Sequence, residues 1–335
     1  MSASPDTADR LRSGRTSGLL ASPPPTVAIE VAQTHVAVVS LDGGREPAIA
    51  GYAVEPLPNG VLTPALNAAN VLDPAALTAT IKGALQKAAS RARRVALVLP
   101  DSSAKVSLIK FEKVPAKLGD LDQLIRWQIR KAAPFRIEDA QVAWFAGAPS
   151  GAGREFVVTV ARRDVVESFE RACDAAGVHA GMINIASFSL INAQLAAAGQ
   201  QAADWLLVHL ASDYVTLAVV RGSDLVFFRN RATGAEADLA DMVHQTAMYH
   251  EDRLGGGGFS RVVLAGASLA GVDQAERLRR GIEERLGGRV ELLDVRGAAA
   301  LRDRITVTPA LLDTLAAPVG AIVRERAGAG KDRVA

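Results

Sequence analysis

Glu30, Gln33, Thr34 and His35 stand together in a short turn, "EVAQTH", between two apolar runs. A turn at a hairpin tip can grip phosphate if it offers three things. These are an acid for a metal or its waters, glycines that let backbone N–H groups come close, and small hydroxyls. Here the acid is Glu30, and Ala32 stands where a glycine is needed. The turn is either a phosphate loop that has lost its parts or a hairpin that never had them.

Other reactive residues have weaker settings. Gly255–Gly258 lacks a following Lys-Ser/Thr and leads into a strand-like run, so it reads as a turn rather than a phosphate loop. Cys173 is the sole cysteine, which excludes an intrachain disulfide and a cysteine-based metal cluster; core packing is its expected role. His35, His179, His209, His244 and His250 are scattered, and each reads as structural rather than as a metal ligand. No Ser-His-Asp, Cys-His or carboxylate pair stands in a context that supports nucleophilic or acid–base chemistry.

The elements that position these residues follow a definite order. "TVAIEV", "HVAVVSL" and "AIAGYAVEPL" read as three strands. Asp73 and Pro74 then open a helix, and "RRVALVLP" reads as a buried strand. After a middle block, "DWLLVHLASDYVTLAVVRGSDLVFFRN" repeats the three-strand opening, again followed by helix and strand. Two such units about 180 residues apart imply an internal duplication. The composition is 49% hydrophobic, enough for a sizeable core, and the net charge of +2 gives no basic stripe for nucleic acid. Residues 1–26 carry Arg10, Arg12 and Arg15 without an apolar core, and read as a disordered tail rather than a signal peptide. Ala175–Ala203 has no Asp, Glu, Lys or Arg, yet Gly, Asn, Gln and Ser interrupt it. It reads as a buried helix, not a membrane span.

One segment is more specific. "VPAKLGDLDQLIRWQIRKAAPFRIEDAQVAWF" resembles the PilM family of type IV pilus assembly proteins, which share an actin-like fold with FtsA. The resemblance rests on Pro115, on Ile125–Arg126–Trp127–Gln128 where the family has Ile-Arg-Trp-Glu, on Pro134–Phe135, and on Glu138–Asp139 before a strand. In order and spacing it runs from Val27 to Val323. It implies an α/β, actin-like (ASKHA) two-lobed fold with duplicated β-β-β-α-β-α units and an inserted FtsA/PilM-type subdomain. The expected division is a disordered tail over 1–26, the first lobe over 27–100, the inserted subdomain over 101–180 and a closing helix of the first lobe over 181–203. A second lobe over 204–326 and a disordered tail over 327–335 follow.

In the quoted segment Asp120 and Gln123 make a capping-box-like helix start, and the helix is expected to run to Ala133. Leu121, Leu124, Ile125, Ile129 and Ala132 form an apolar stripe, with Gln123, Arg126 and Arg130 opposite. Pro134 ends the helix. Trp127 lies on the flank of the stripe. It either packs on its own sheet or forms an aromatic edge of a peptide groove, since Trp is enriched at binding hot spots.

The resemblance to actin-like ATPases implies three nucleotide-contact zones. The first is Glu30–His35, with Gln33 and Thr34 as amide and hydroxyl donors. The second is His209–Thr216, where His209 and Ala211 replace the acid and glycine, and Ser212, Asp213 and Thr216 remain. The third, Ala265–Ser268, keeps a single glycine, Gly266. ATP hydrolysis is not expected, and binding of ATP with Mg²⁺ is at most weak. The resemblance implies a non-catalytic cytoplasmic scaffold, peripheral to the inner membrane, that captures the short cytoplasmic tail of a PilN-like membrane partner. Arg126, Trp127, Arg130 and Phe135 are the candidate partner residues, in a groove between the subdomain and the first lobe. The alternatives are a GspL-like component of type II secretion and, from a different class, an actin-fold ATPase or sugar-kinase-like enzyme.

Overall fold

The computed structural model describes residues 25–331 except 43–45, 89, 200, 234–236 and 302–306. The tail expected over 1–26 falls almost wholly outside these residues. Strands β1 (Val27–Val31) and β2 (His35–Leu41) form the first hairpin, with Ile29 opposite Val38 and Val31 opposite Val36. Ala32 N–H closes its turn on His35 C=O at 2.9 Å. β3 (Ala48–Pro56) pairs antiparallel with β2. Helix α1 (Pro74–Lys87) starts as the sequence reading expects. Pro74 is in its first turn, and Asp73 caps it by accepting Ala76 N–H at 2.9 Å. β4 (Arg94–Leu99) then lies parallel to β1.

The inserted subdomain is a three-stranded antiparallel sheet of β5 (Ala104–Phe111), β6 (Ala140–Ser150) and β7 (Gly153–Arg162), in the order β5-β7-β6. Helix α2 (Leu118–Ile129) covers one face. Leu121, Ile125 and Ile129 are fully buried there against Phe156, Val158 and Val160, each such burial contributing about 1.5–3 kcal/mol. Two details differ from expectation. The helix begins two residues before Asp120, at Leu118, with no side-chain cap, so Asp120 sits inside its first turn. It also ends at Ile129, and Ala132 is exposed.

The subdomain is shorter than the expected 101–180. Helix α3 (Arg163–Ala175) buries Val165, Phe169 and Cys173 in the first lobe's core beside Leu77, Ile81 and Leu97. Burial pushes the Cys173 thiol up to about 12, in keeping with a packing role. The charge-free run is also not one helix. Its first part is strand β8 (His179–Ile185), parallel to β4, and only then comes helix α4 (Ala186–Ala198). A short apolar run without charges does not distinguish a buried strand from a buried helix.

The second lobe repeats the opening unit. β9 (Gln201–Leu210), β10 (Tyr214–Gly222) and β11 (Asp224–Ala232) form the antiparallel part. Helix α5 (Ala237–Leu254), β12 (Arg261–Ala265), helix α6 (Val272–Leu286) and β13 (Val290–Leu292) complete a sheet of order β11-β10-β9-β12-β13. The glycine run is the turn after α5. Gly255 and Gly258 have positive φ, and a Cβ on Gly256 would lie 1.9 Å from the His250 ring. β14 (Ala300–Leu301) returns to the first lobe and pairs with β3, giving the order β14-β3-β2-β1-β4-β8.

Helix α7 (Pro309–Lys331) contains Pro318 and extends into the stretch expected as a tail from 327. It crosses α4 between the two sheets. One continuous cluster there joins Ala28, Val39 and Val98 of the first sheet to Leu207, Ala218 and Val263 of the second. The crossing is close because Gly320 has no side chain: a Cβ there would lie 1.8 Å from Ser189 C=O.

Candidate functional site

The two hairpin turns face each other across a cavity of about 290 Å³ between the lobes. Glu30 to His35 line it from the first hairpin, His209 to Tyr214 from the second, and Gly266 and Ala267 from the end of β12. Apolar walls come from Leu190, Leu210, Leu269 and Leu278. Among the described residues no lysine or arginine lines the cavity. Three carboxyls do: Glu30, Asp213 and Asp313.

Their surroundings differ. Burial, reinforced by the nearby charge of Asp101, pushes Glu30 up to about 8. Burial also raises Asp213, against the hydrogen bond that Ser102 Oγ donates to it at 3.3 Å. Asp313, on α7, accepts Gly266 N–H at 3.0 Å and Ser268 N–H at 2.8 Å, yet burial keeps its carboxyl above the usual range. Gly266 has φ +80°, and a Cβ would come within 2.0 Å of Leu210 C=O. Backbone packing therefore requires this glycine whether or not a ligand is bound.

Beneath the cavity, a buried polar knot ties the lobes together. Asp101, just after β4, accepts Ser187 N–H at 2.9 Å, the Ser187 hydroxyl, and Thr216 Oγ1–H at 2.6 Å. Ser187 Oγ lies 2.9 Å from His209 Nδ1. The serine's one proton goes to Asp101, so His209 Nδ1–H donates to the serine oxygen. Burial alone would raise Asp101, but the adjacent His209 and the hydrogen bonds from Ser187 hold its carboxyl below the usual range. These are a serine, a histidine and an aspartate that the sequence reading does not bring together. They do not form a nucleophilic triad. Aspartate and histidine meet on the same serine hydroxyl rather than on opposite ring nitrogens, and Ser187 is wholly buried.

A second concavity, about 590 Å³, lies between the subdomain and the first lobe. β8 lines one wall from Ala180 to Ile185, and Val166, Glu167 and Glu170 line it from α3. Phe145 and Thr159 come from the subdomain sheet, and Phe188 from α4. β8 is the last strand of its sheet, and among the described residues no strand pairs with its outer edge.

With this geometry in place, the comparison with known families is decisive. The family described as "Type IV pilus assembly protein PilM" matches residues 28–253. The chain belongs to the PilM family. A solved structure described as a PilM-PilN type IV pilus biogenesis complex has a TM-score of 0.77 at 18% identity, covering 92% of this chain and 99% of that one. A Bacteroides thetaiotaomicron protein with an actin-like ATPase fold and unknown function has a TM-score of 0.50 at 10% identity, covering 81% and 91%. The cytoplasmic domain of EpsL, an inner-membrane component of the Vibrio cholerae type II secretion system, has a TM-score of 0.46 at 9% identity, covering 71% and 80%. Among curated protein sequences none matches. The fold is actin-like, as the duplicated units imply.

In this PilM-family chain, Glu30, Gln33, Thr34, Ser212, Asp213 and Gly266 all line the interlobe cavity, as the sequence reading placed them. Thr216 does not. It sits deeper on β10, fully buried, with its hydroxyl between Asp101 and Asn230 Nδ2 at 2.8 Å. The four candidate partner residues also fall outside the groove. Trp127 is 66% exposed on the outer face of α2, because the Leu121–Ile125–Ile129 stripe turns it away from the sheet. The packed reading of that residue therefore fails. Arg126 pairs with Asp122 at 2.7 Å, Arg130 is exposed, and Phe135 packs in the cluster under α2. The sequence reading missed Asp101, Ser187, Phe145 and Phe188. Asp101 alone carried a signal: in "VLPDSS" it follows a buried strand, and ligands of α/β sheets gather at the carboxyl ends of strands.

Proposed function

We propose that the chain is a non-catalytic scaffold of a type IV pilus assembly platform that holds an extended tail of a PilN-like membrane partner in the groove beside β8. One observation carries this reading: from Ala180 to Ile185 the groove follows β8, an edge strand with no further strand paired to it among the described residues. An extended segment can add to such an edge, drawing affinity from main-chain hydrogen bonds and specificity from side-chain subsites. Met182, Phe145 and Phe188 supply an apolar subsite. The anchoring role assigned to Trp127 and Phe135 passes to these residues, leaving Trp127, Arg126 and Arg130 as an outer surface. The structural relative is described as a complex with PilN, which supports a partner of that kind. Among the described residues no helix is long and apolar enough to cross a membrane. Attachment to the inner membrane, on this reading, comes through the partner.

The interlobe cavity does not fit a magnesium-bound nucleoside triphosphate. Asp313 takes the backbone donors at Gly266 and Ser268, Glu30 is largely neutral at pH 7, and among the described residues no lysine or arginine lines the cavity. At about 290 Å³ the cavity lies at the small end of the ~300–1,000 Å³ range of ligand pockets. The test is fluorescence polarisation with a synthetic peptide of the tail of the PilN homologue from the same genome. Binding is expected, with a loss of about 2 kcal/mol for Phe145→Ala if it is a hot spot. A peptide that binds wild type and Phe145→Ala equally well overturns the groove assignment.

A further inference from the structure

Neither the cavity nor the groove uses Trp127. Its indole is nevertheless left 66% exposed on the outer side of α2. Leu121, Ile125 and Ile129 turn the apolar stripe of the helix onto the subdomain sheet. Trp127 stands two residues from both Ile125 and Ile129, a spacing that puts it on the opposite side of the helix.

The same helix ends in cations. Arg126 lies in its last turn, Arg130 is its C-cap, and Lys131 follows directly. Lys105, near the start of β5, reaches this end and donates from Nζ to Ala132 C=O at 2.6 Å. A helix C-terminus favours positive charge, so the cluster suits the helix. Arg126 is neutralised by Asp122 at 2.7 Å, and that carboxylate also accepts Trp144 Nε1–H at 2.9 Å. The acids that follow, Glu138 and Asp139, face Arg136 at 3.8 and 4.0 Å. Lys105, Arg130 and Lys131 are left without a carboxylate partner among the described residues.

An indole with an apolar body and a polar tip suits the headgroup layer of a bilayer, where no matching pocket is needed. Each cation close to an anionic leaflet raises the partition constant by about fivefold. A folded protein partner, by contrast, has to supply both a pocket for the whole indole and carboxylates around it.

We propose that the outer end of α2, with Trp127 at its centre and Lys105, Arg130 and Lys131 around it, docks on the anionic lipid surface of a membrane. The contact is weak and reversible, since one interfacial residue and a few cations fall far short of an anchor. It adds a direct lipid contact to the attachment through the partner's tail, and it stands whether or not the groove holds that tail.

Flotation of the full chain with lipid vesicles tests this without a partner. Vesicles of phosphatidylcholine and phosphatidylglycerol in equal parts should carry the protein, and phosphatidylcholine alone should not. Binding should fall steeply as added salt shortens the Debye length. Arg130→Glu with Lys131→Glu should lower the partition constant at least about tenfold. Trp127→Ala should lower it several-fold through lost apolar burial. Lys82→Glu with Arg289→Glu makes the same change in net charge at exposed positions elsewhere and should float as wild type does. Brominated acyl chains should quench part of the tryptophan emission, and Trp127→Ala should lose that part. An unchanged urea melt shows that each variant is folded. Failure to float with anionic vesicles overturns the proposal, and so does an equal loss in the patch variants and the control. Binding that survives the patch variants is carried by another basic segment and also overturns it. If lipid is ignored while polyglutamate binds wild type and not Trp127→Ala, the patch serves an acidic protein and the membrane assignment falls.

Discussion

Ser212 Oγ donates to Gln33 Oε1 at 3.0 Å, joining the tips of the two duplicated hairpins across the mouth of the interlobe cavity. The two residues are 179 positions apart and belong to different lobes. Each is a polar group at a hairpin turn, and here they satisfy one another. The same holds at β12, where Asp313 occupies the N–H groups of Gly266 and Ser268.

These contacts predict the response to nucleotide. A ligand that binds only the folded chain stabilises it by RT ln(1 + [L]/Kd). With its donors already taken, the cavity should give no measurable melting shift at millimolar Mg·ATP. Turnover should stay at buffer level, far below the ~1–100 s⁻¹ of phosphoryl-transfer enzymes. A shift of several degrees in differential scanning fluorimetry shows instead that Asp313 and Gln33 yield to phosphate.

Much of this was legible in the sequence because hairpins and helices carry strong local patterns. Asp73 and Pro74 announce α1, and alternating valines announce β1 and β2. β8 was hidden because nothing in its seven residues separates a strand from the helix that follows directly. The Asp101 knot was hidden for another reason. Its partners lie 86 and 115 residues away, so only the folded sheets bring them together. The cavity residues were found because they sit at hairpin tips. The lining residues of the expected groove were not, because its walls are a strand edge and apolar side chains without a motif.

Trp127 separates surface from core. At 66% exposed it loses little packing on truncation, so Trp127→Ala should change unfolding free energy by no more than about 0.5 kcal/mol. It should also leave binding of the tail peptide unchanged, since the residue lies outside the groove. Urea melts and fluorescence polarisation of the same preparation check both. A large loss of affinity with an unchanged melt returns Trp127 to the partner site.

Gly320 tests the helix crossing at the centre of the molecule. A methyl group at this position runs into Ser189 C=O and Ala193 N of α4, both backbone atoms that cannot rotate away. Gly320→Ala should therefore destabilise the chain by about 1–3 kcal/mol through overpacking, although alanine is the better helix former. The urea midpoint should fall with an unchanged slope, since the surface exposed on unfolding stays the same. A midpoint at or above wild type means that α4 and α7 do not approach this closely.

Glu30 should make stability fall as pH rises. In the folded chain its carboxyl stays neutral up to about pH 8, chiefly through burial and then through the charge of Asp101, whereas the ordinary value is 4.5. Between those two values the unfolded chain ionises and the folded chain does not. Unfolding is then progressively favoured as pH climbs from about 4.5 to about 8, and the effect levels off above that. Its full size is of order a few kcal/mol. Glu30→Gln keeps the shape and removes the proton, so its advantage over wild type should be small at pH 5 and grow steadily to pH 8. Asp101, held low by its hydrogen bonds, acts in the opposite direction: its contribution is present above the ordinary carboxylate range and is lost in acid, below the window in which Glu30 titrates. Thermal melts of both proteins across pH 5–9 separate the two. A difference between Glu30→Gln and wild type that does not vary with pH means Glu30 is ionised in the folded chain, and an acid able to attract a metal has survived in the first hairpin.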